Sequence, residues 1–105
     1  MKLTTQDQFT KNKIIEELGL VKGNTVRARH IGKDILALFR NMVGGEIEEY
    51  TKLLAEAREQ SIDAMIEEAN KLEADGIVCI RFTTSSIMGG AAELFVYGTA
   101  VKLKR

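Results

Sequence analysis

"AELFVYGTAVKL", residues 92–103, decides the architecture, because it is apolar on both of its faces. Successive side chains of a strand point to opposite sides of the sheet, so Leu94 and Val96 share one side while Phe95, Tyr97 and Val101 share the other. Two apolar faces read as a central strand covered from both sides. The residues just upstream supply a partner. "GIVCIRFTT", residues 76–84, is rich in β-branched residues, and its alternation predicts Val78, Ile80 and Phe82 on one face and Cys79 and Arg81 on the other. "SSIMGGAA", residues 85–92, then joins the two strands as a glycine-containing hairpin loop.

Further upstream, "GGEIEEYTKLLAEAREQSIDAMIEEANKLEAD", residues 44–75, reads as one uninterrupted helix. Ile47, Tyr50, Leu54, Ala57, Ser61, Ala64, Met65, Ala69 and Leu72 recur at helical spacing and form its predicted core stripe. Gly45 opens it, Glu46, Glu48 and Glu49 crowd the first turn where the helix dipole favours carboxylates, and Asp75-Gly76 is the expected end. Before it, "GKDILALFRNMVGG", residues 32–45, places Ile35, Leu36, Phe39, Met42 and Val43 on a second, shorter helical stripe, with Gly44 as its stop. The branched stretch around residues 12–29, punctuated by Gly19 and Gly23, predicts a strand with a bend or bulge. The order of elements is that of an α+β subunit.

Size turns this order into a question of assembly. A helix of about 29 residues is roughly 44 Å long at 1.5 Å per residue, whereas a compact domain of this length has a diameter of about 33 Å. The rod overhangs a monomer, and the final strand asks for cover on both faces. Both features predict a closed homo-oligomer in which neighbours cover what one subunit leaves open.

Composition bounds the rest. The chain of 105 residues predicts a single domain over 1–105, and 45% hydrophobic with 29% charged residues is ordinary for a globular protein. Fifteen basic and fifteen acidic residues cancel, which leaves no net field to attract nucleic acid or anionic lipid. No apolar run has the length of a membrane span, and "MKLTTQDQFT" lacks the hydrophobic stretch of a signal peptide, so a cytoplasmic protein is expected. The single Cys79 forms no internal disulfide, in keeping with a reducing compartment.

Four segments together carry a resemblance: "GLVKG" at 19–23, "DILALFRNMVGGEIEEYTKLLAEAR" at 34–58, "EANKLEADGIVCIRF" at 68–82 and "YGTAVKL" at 97–103. In combination they resemble the YbjQ family, small bacterial and archaeal proteins to which heavy-metal binding is ascribed. The resemblance covers roughly residues 3–103. It implies a dodecin-like β-α-β-β subunit, with a short and a long helix on one face of an antiparallel sheet whose last strand is central, assembled as a pentameric ring. The family label names no reaction. Gly76 stands where the family more often has alanine.

Chemistry-bearing residues are few. A soft divalent ion takes about four ligands from Cys, His and carboxylate, and this chain has one Cys79 and one His30, with no CxxC or HxxxH. A heavy-metal site on Cys79 or His30 would therefore have to be assembled from several copies around an axis. Ser61, Ser85, Ser86 and Cys79 lack a histidine in any nucleophile motif, so a non-catalytic protein is expected. The loop with Ser85, Ser86, Gly89 and Gly90 is the candidate ligand-binding segment, because small residues expose backbone N–H groups to an anion. The expectation is a ring-forming protein that binds a heavy metal or small ligand; the alternative is a structural or protein-interaction module with neither.

Overall fold

A computed structural model describes residues 1–27, 47–87 and 91–105. In chain order the elements are β1 (Lys2–Leu3), β2 (Ile14–Arg27), α1 (Ile47–Lys71), β3 (Gly76–Ile87) and β4 (Ala91–Leu103). They form a four-stranded sheet in the order β1-β3-β4-β2 with one helix on it. β4 is central, antiparallel to both β2 and β3, as its two apolar faces require. The purely antiparallel sheet is corrected: β1 lies parallel to β3, pairing Lys2 with Gly76 and Leu3 with Ile77, and makes the sheet mixed. The predicted short helix, its stop at Gly44 and the opening of the long helix at Gly45 lie outside the described residues.

Both faces of β4 are buried, against different material. On one side Val96 and Ala100 pack with Val21, Ile77, Ile80, Met65 and Ala69 beneath α1. On the other, Val101 and Leu103 pack with Val78, and Phe9 and Ile14 close over them. The chain's own N-terminal segment thus covers one end of the outer face, where a neighbouring copy was expected to be needed. Beyond this cover, toward the middle of the face, Tyr97 stays 37% exposed and Leu20 63% exposed.

The alternation expected of β3 is overturned by a bulge. Val78 pairs with Thr99 and Arg81 with Tyr97, so three steps on β3 oppose two on β4. Cys79 absorbs the extra residue with φ at 57°, a left-handed conformation unusual for a residue bearing Cβ. Val78 therefore faces away from the helix, while Ile80 and Phe82 face toward it. The same twist turns two amides outward, and the N-terminal segment receives them: Cys79 N–H donates to Gln6 O at 2.9 Å and Ile80 N–H to Thr4 O at 3.2 Å. The Arg81 guanidinium donates to Thr5 O at 2.7 Å. Residues 2–6 are stitched to the β3 edge by this irregular pairing.

The helix meets the sheet through small residues. Ala57, Ser61, Met65 and Ala69, each four apart, are fully buried, and the helix lies across β2 and β4. Gly23 on β2 makes that approach possible, since a Cβ there would sit 2.0 Å from Ser61 O and 2.7 Å from Met65 N. The buried Ser61 Oγ lies 2.9 Å from Ala57 O and 3.2 Å from Leu94 O, either of which takes its proton, and 2.9 Å from the Thr25 hydroxyl. Two members of the predicted stripe are not buried in it: Ala64 stays exposed, with its Cβ at the margin beside Gly23, and Leu72 is 41% exposed. The helix ends at Lys71 rather than at Asp75-Gly76. Glu73 turns left-handed with φ at 58°, and Ala74 N–H donates to Ala69 O at 3.1 Å to close the last turn. Asp75 then fastens the end of β4, accepting the Leu103 N–H at 3.0 Å and the Arg105 guanidinium at 3.1 Å.

β2 carries the predicted irregularity. Its pairing to β4 slips between Ile14 and Glu16 and again between Glu17 and Gly19. Gly19 has φ at 123°, which residues with a Cβ rarely adopt. The whole measures 54 × 24 × 16 Å with a radius of gyration of 16.9 Å, against about 13 Å for a compact chain of this length.

Candidate functional site

The residues singled out in the sequence do not converge. Cys79 is half-buried in the β3 bulge with its N–H engaged by Gln6. Ser85 and Ser86, expected in a loop, stand in β3 and pair with Glu93 and Ala92. The hairpin strands run further than predicted because the small residues at their ends still pair. Cys79 and Ser85 are six residues apart on one strand, roughly 20 Å. His30, Gly89 and Gly90 lie outside the described residues. No group of three or more His, Cys, Asp and Glu side chains occurs among the described residues, so those of one subunit do not make a closed site for a soft metal. Among them, too, no helix is long and apolar enough to cross a membrane.

The site the tertiary structure does build is a groove. α1 sits over β2 and β4 and covers Ile77 and Ile80 of β3, but it leaves Phe82, further along that strand, without a lid. Ile80 and Phe82 look across at Ile62 and Met65, with Leu3, Thr4 and Thr5 along the rim, around a space of about 410 Å³. Past Phe82 a second lobe of about 490 Å³ runs between Arg58 and Glu59 of the helix and Thr84 and Leu94 of the sheet. Phe82 divides the two lobes and is 47% exposed. Sequence reasoning placed Phe82 on an apolar face but could not show that the helix would leave it open. The visible signal was the run Ala57, Ser61, Ala69, whose small side chains pull the helix onto β2.

Electrostatics matter most at the end of the sheet. The Leu103 amide, and next the Arg105 guanidinium, hold the Asp75 carboxyl below its ordinary value. Arg105 itself is 85% exposed, so this is a tether rather than a buried ion pair.

Across residues 1–104 the chain matches the model of the YbjQ family, described as "Putative heavy-metal-binding". The chain belongs to the YbjQ family. Its YbjQ relatives include a protein named UPF0145 from Archaeoglobus fulgidus, 57% identical over 97% of this chain and 94% of the relative. Another, UPF0145 protein DET1617 from Dehalococcoides mccartyi, is 56% identical over 96% of this chain and 97% of the relative. A solved structure from Pediococcus pentosaceus, described as a protein with unknown function of the DUF74 family, superposes with a TM-score of 0.65. It covers 99% of this YbjQ chain and 98% of its own at 17% identity, a likeness of fold alone.

Proposed function

We propose that this YbjQ protein is a non-catalytic binding protein of the cytoplasm, folded as one dodecin-like domain and closed into a ring of identical copies, with five as the expected number. The observation that carries the ring is the placement of its uncovered apolar side chains. Leu3 and Phe82 lie at the β3 margin, and Phe82 faces the helix side. Ile15, 62% exposed, and Leu20, 63% exposed, lie on β2 at the opposite margin, and Leu20 faces the other side. Two different patches at opposite margins, facing opposite sides of the sheet, favour a head-to-tail contact between copies, which forms a ring when the rotation between neighbours closes.

A heavy metal in this assembly would need thiols or imidazoles from more than one copy, since one subunit brings a single cysteine and a single histidine. Small-ligand binding is supported by the groove beside Phe82. Size-exclusion chromatography with light scattering tests the ring. Five 11.7 kDa chains give a particle of about 58 kDa, and Phe82→Glu and Leu20→Glu should each lower that mass while the helix signal in circular dichroism persists. A wild-type protein that runs as a folded single chain refutes the proposal. Titration with zinc or cadmium under native mass spectrometry, with Cys79→Ser and His30→Ala as controls, separates a metal binder from a structural module, which would take up no metal or ligand.

A further inference from the structure

The middle of the outer sheet face has a composition unlike its ends. In register with Tyr97 stand Lys22 on β2 and Arg81 on β3, and in register with Phe95 stand Asn24 and Thr83. Paired residues of an antiparallel sheet share a face. That face is the one away from the helix, because Val96 between the two rings is buried beneath α1. The rings of Phe95 and Tyr97 touch, with centroids 5.6 Å apart and planes tilted by 35°. Tyr97 is 37% exposed, and Lys22 and Arg81 are exposed on either side of it. Of the carboxylates on the described strands, Glu17 pairs with Val101, four residues along β4 from Tyr97 and roughly 13 Å away along the strand, while Glu93 reaches toward the row and is engaged there by the Asn24 amide, which donates to it at 3.2 Å.

We propose that the Lys22–Tyr97–Arg81 row binds a planar aromatic anion of the nucleotide class, the base stacked on Tyr97 and the phosphate held by Lys22 on the β2 side of the ring. An uncharged apolar occupant would leave Lys22 without a partner, and a bare anion would leave the Tyr97 ring uncovered. A base joined to a phosphate satisfies both, because every base offers a π-face to an aromatic side chain and its phosphate takes charge-assisted hydrogen bonds. Arg81 is held at the β3 edge, one of its nitrogens donating to Thr5 O at 2.7 Å and to Ile80 O at 2.9 Å, so Lys22 is the cation that meets the phosphate. This inference rests on the reading of the molecule as a binding protein and names its ligand class; it does not depend on the ring.

Saturation-transfer NMR on adenosine monophosphate with the full chain tests it, with ribose 5-phosphate and adenosine as control ligands. Saturation should reach the base protons, and adenosine monophosphate should bind more tightly than either control. Tyr97→Ala should weaken binding at least about fivefold, the loss of one base–aromatic stack. Tyr97→Phe, which keeps the ring, should stay close to wild type, and Lys22→Ala should weaken adenosine monophosphate but not adenosine. No transfer to adenosine monophosphate, equal binding of ribose 5-phosphate, or an unchanged affinity in Tyr97→Ala overturns the proposal. Light scattering on the same samples separates the two readings: a missing nucleotide signal on an intact ring removes the nucleotide site alone.

Discussion

Replacing Gly23 by alanine tests how the helix is seated. The added methyl would begin 2.0 Å from Ser61 O and 2.7 Å from Met65 N. Both obstacles are helix backbone, which cannot swing aside as a side chain could. To restore the ordinary 3.4 Å contact, strand and helix must part by about 1.4 Å at this point. That gap loosens Met65, Ala69 and Val21 in the main core. Overpacking of a close-packed core costs about 1–3 kcal/mol, and a backbone obstacle puts this case at the upper end, about 3 kcal/mol. Alanine also narrows the unfolded ensemble, which offsets about 0.4–1 kcal/mol. The net loss is about 2 kcal/mol, and for a domain near this size Tm should fall by roughly 8–16 °C. Thermal unfolding followed by circular dichroism, at one protein concentration for both variants, measures it. A Tm unchanged from wild type would mean that α1 does not rest on Gly23, and the account of the groove beside Phe82 would fall with it.

Two further outcomes follow from the same packing. Ser61→Ala removes a hydroxyl set among Thr25, Ala57 and Leu94 and leaves the partners it had engaged unpaired, so urea denaturation should show a loss of about 1–2 kcal/mol; Ser61→Val, which adds bulk at a fully buried position, should lose more. Asp75 has its folded pKa lowered beneath the ordinary aspartate value of 3.8, first by the Leu103 amide and then by Arg105. Its contribution is therefore complete above that value and disappears as pH falls through the lower, folded one. The Tm difference between wild type and Asp75→Asn should be present at neutral pH and shrink toward zero in strong acid; a difference independent of pH would contradict the tether.

The order β2, α1, β3, β4 was readable from side-chain types. The two-faced pattern of residues 92–103 marks a central strand whatever its neighbours, because alternation exposes it to both layers at once. Periodicity likewise identified the helix, and Gly19 a break in β2. What failed were features that depend on contacts distant in the chain. Alternation put Val78 with Phe82, but the bulge at Cys79 separates them, and that bulge is held by amides donating to Thr4 and Gln6 some seventy-five positions earlier. Leu72 matches the helical period yet is 41% exposed, and Ala64 sits only at the margin of the contact, since the close approach at Gly23 sets the helix's rotation through Ser61 and Met65. Ser85 and Ser86 looked like loop residues by type and were drawn into strands by pairing with Glu93 and Ala92. By itself the sequence determined that β2, the first part of β3 and β4 are strands and that α1 is a helix, because those preferences are local. Only the tertiary structure decided which faces close and which stay open, the groove at Phe82 and the Lys22–Tyr97–Arg81 row, because that depends on where a small-residue helix can come nearest to a glycine on the sheet.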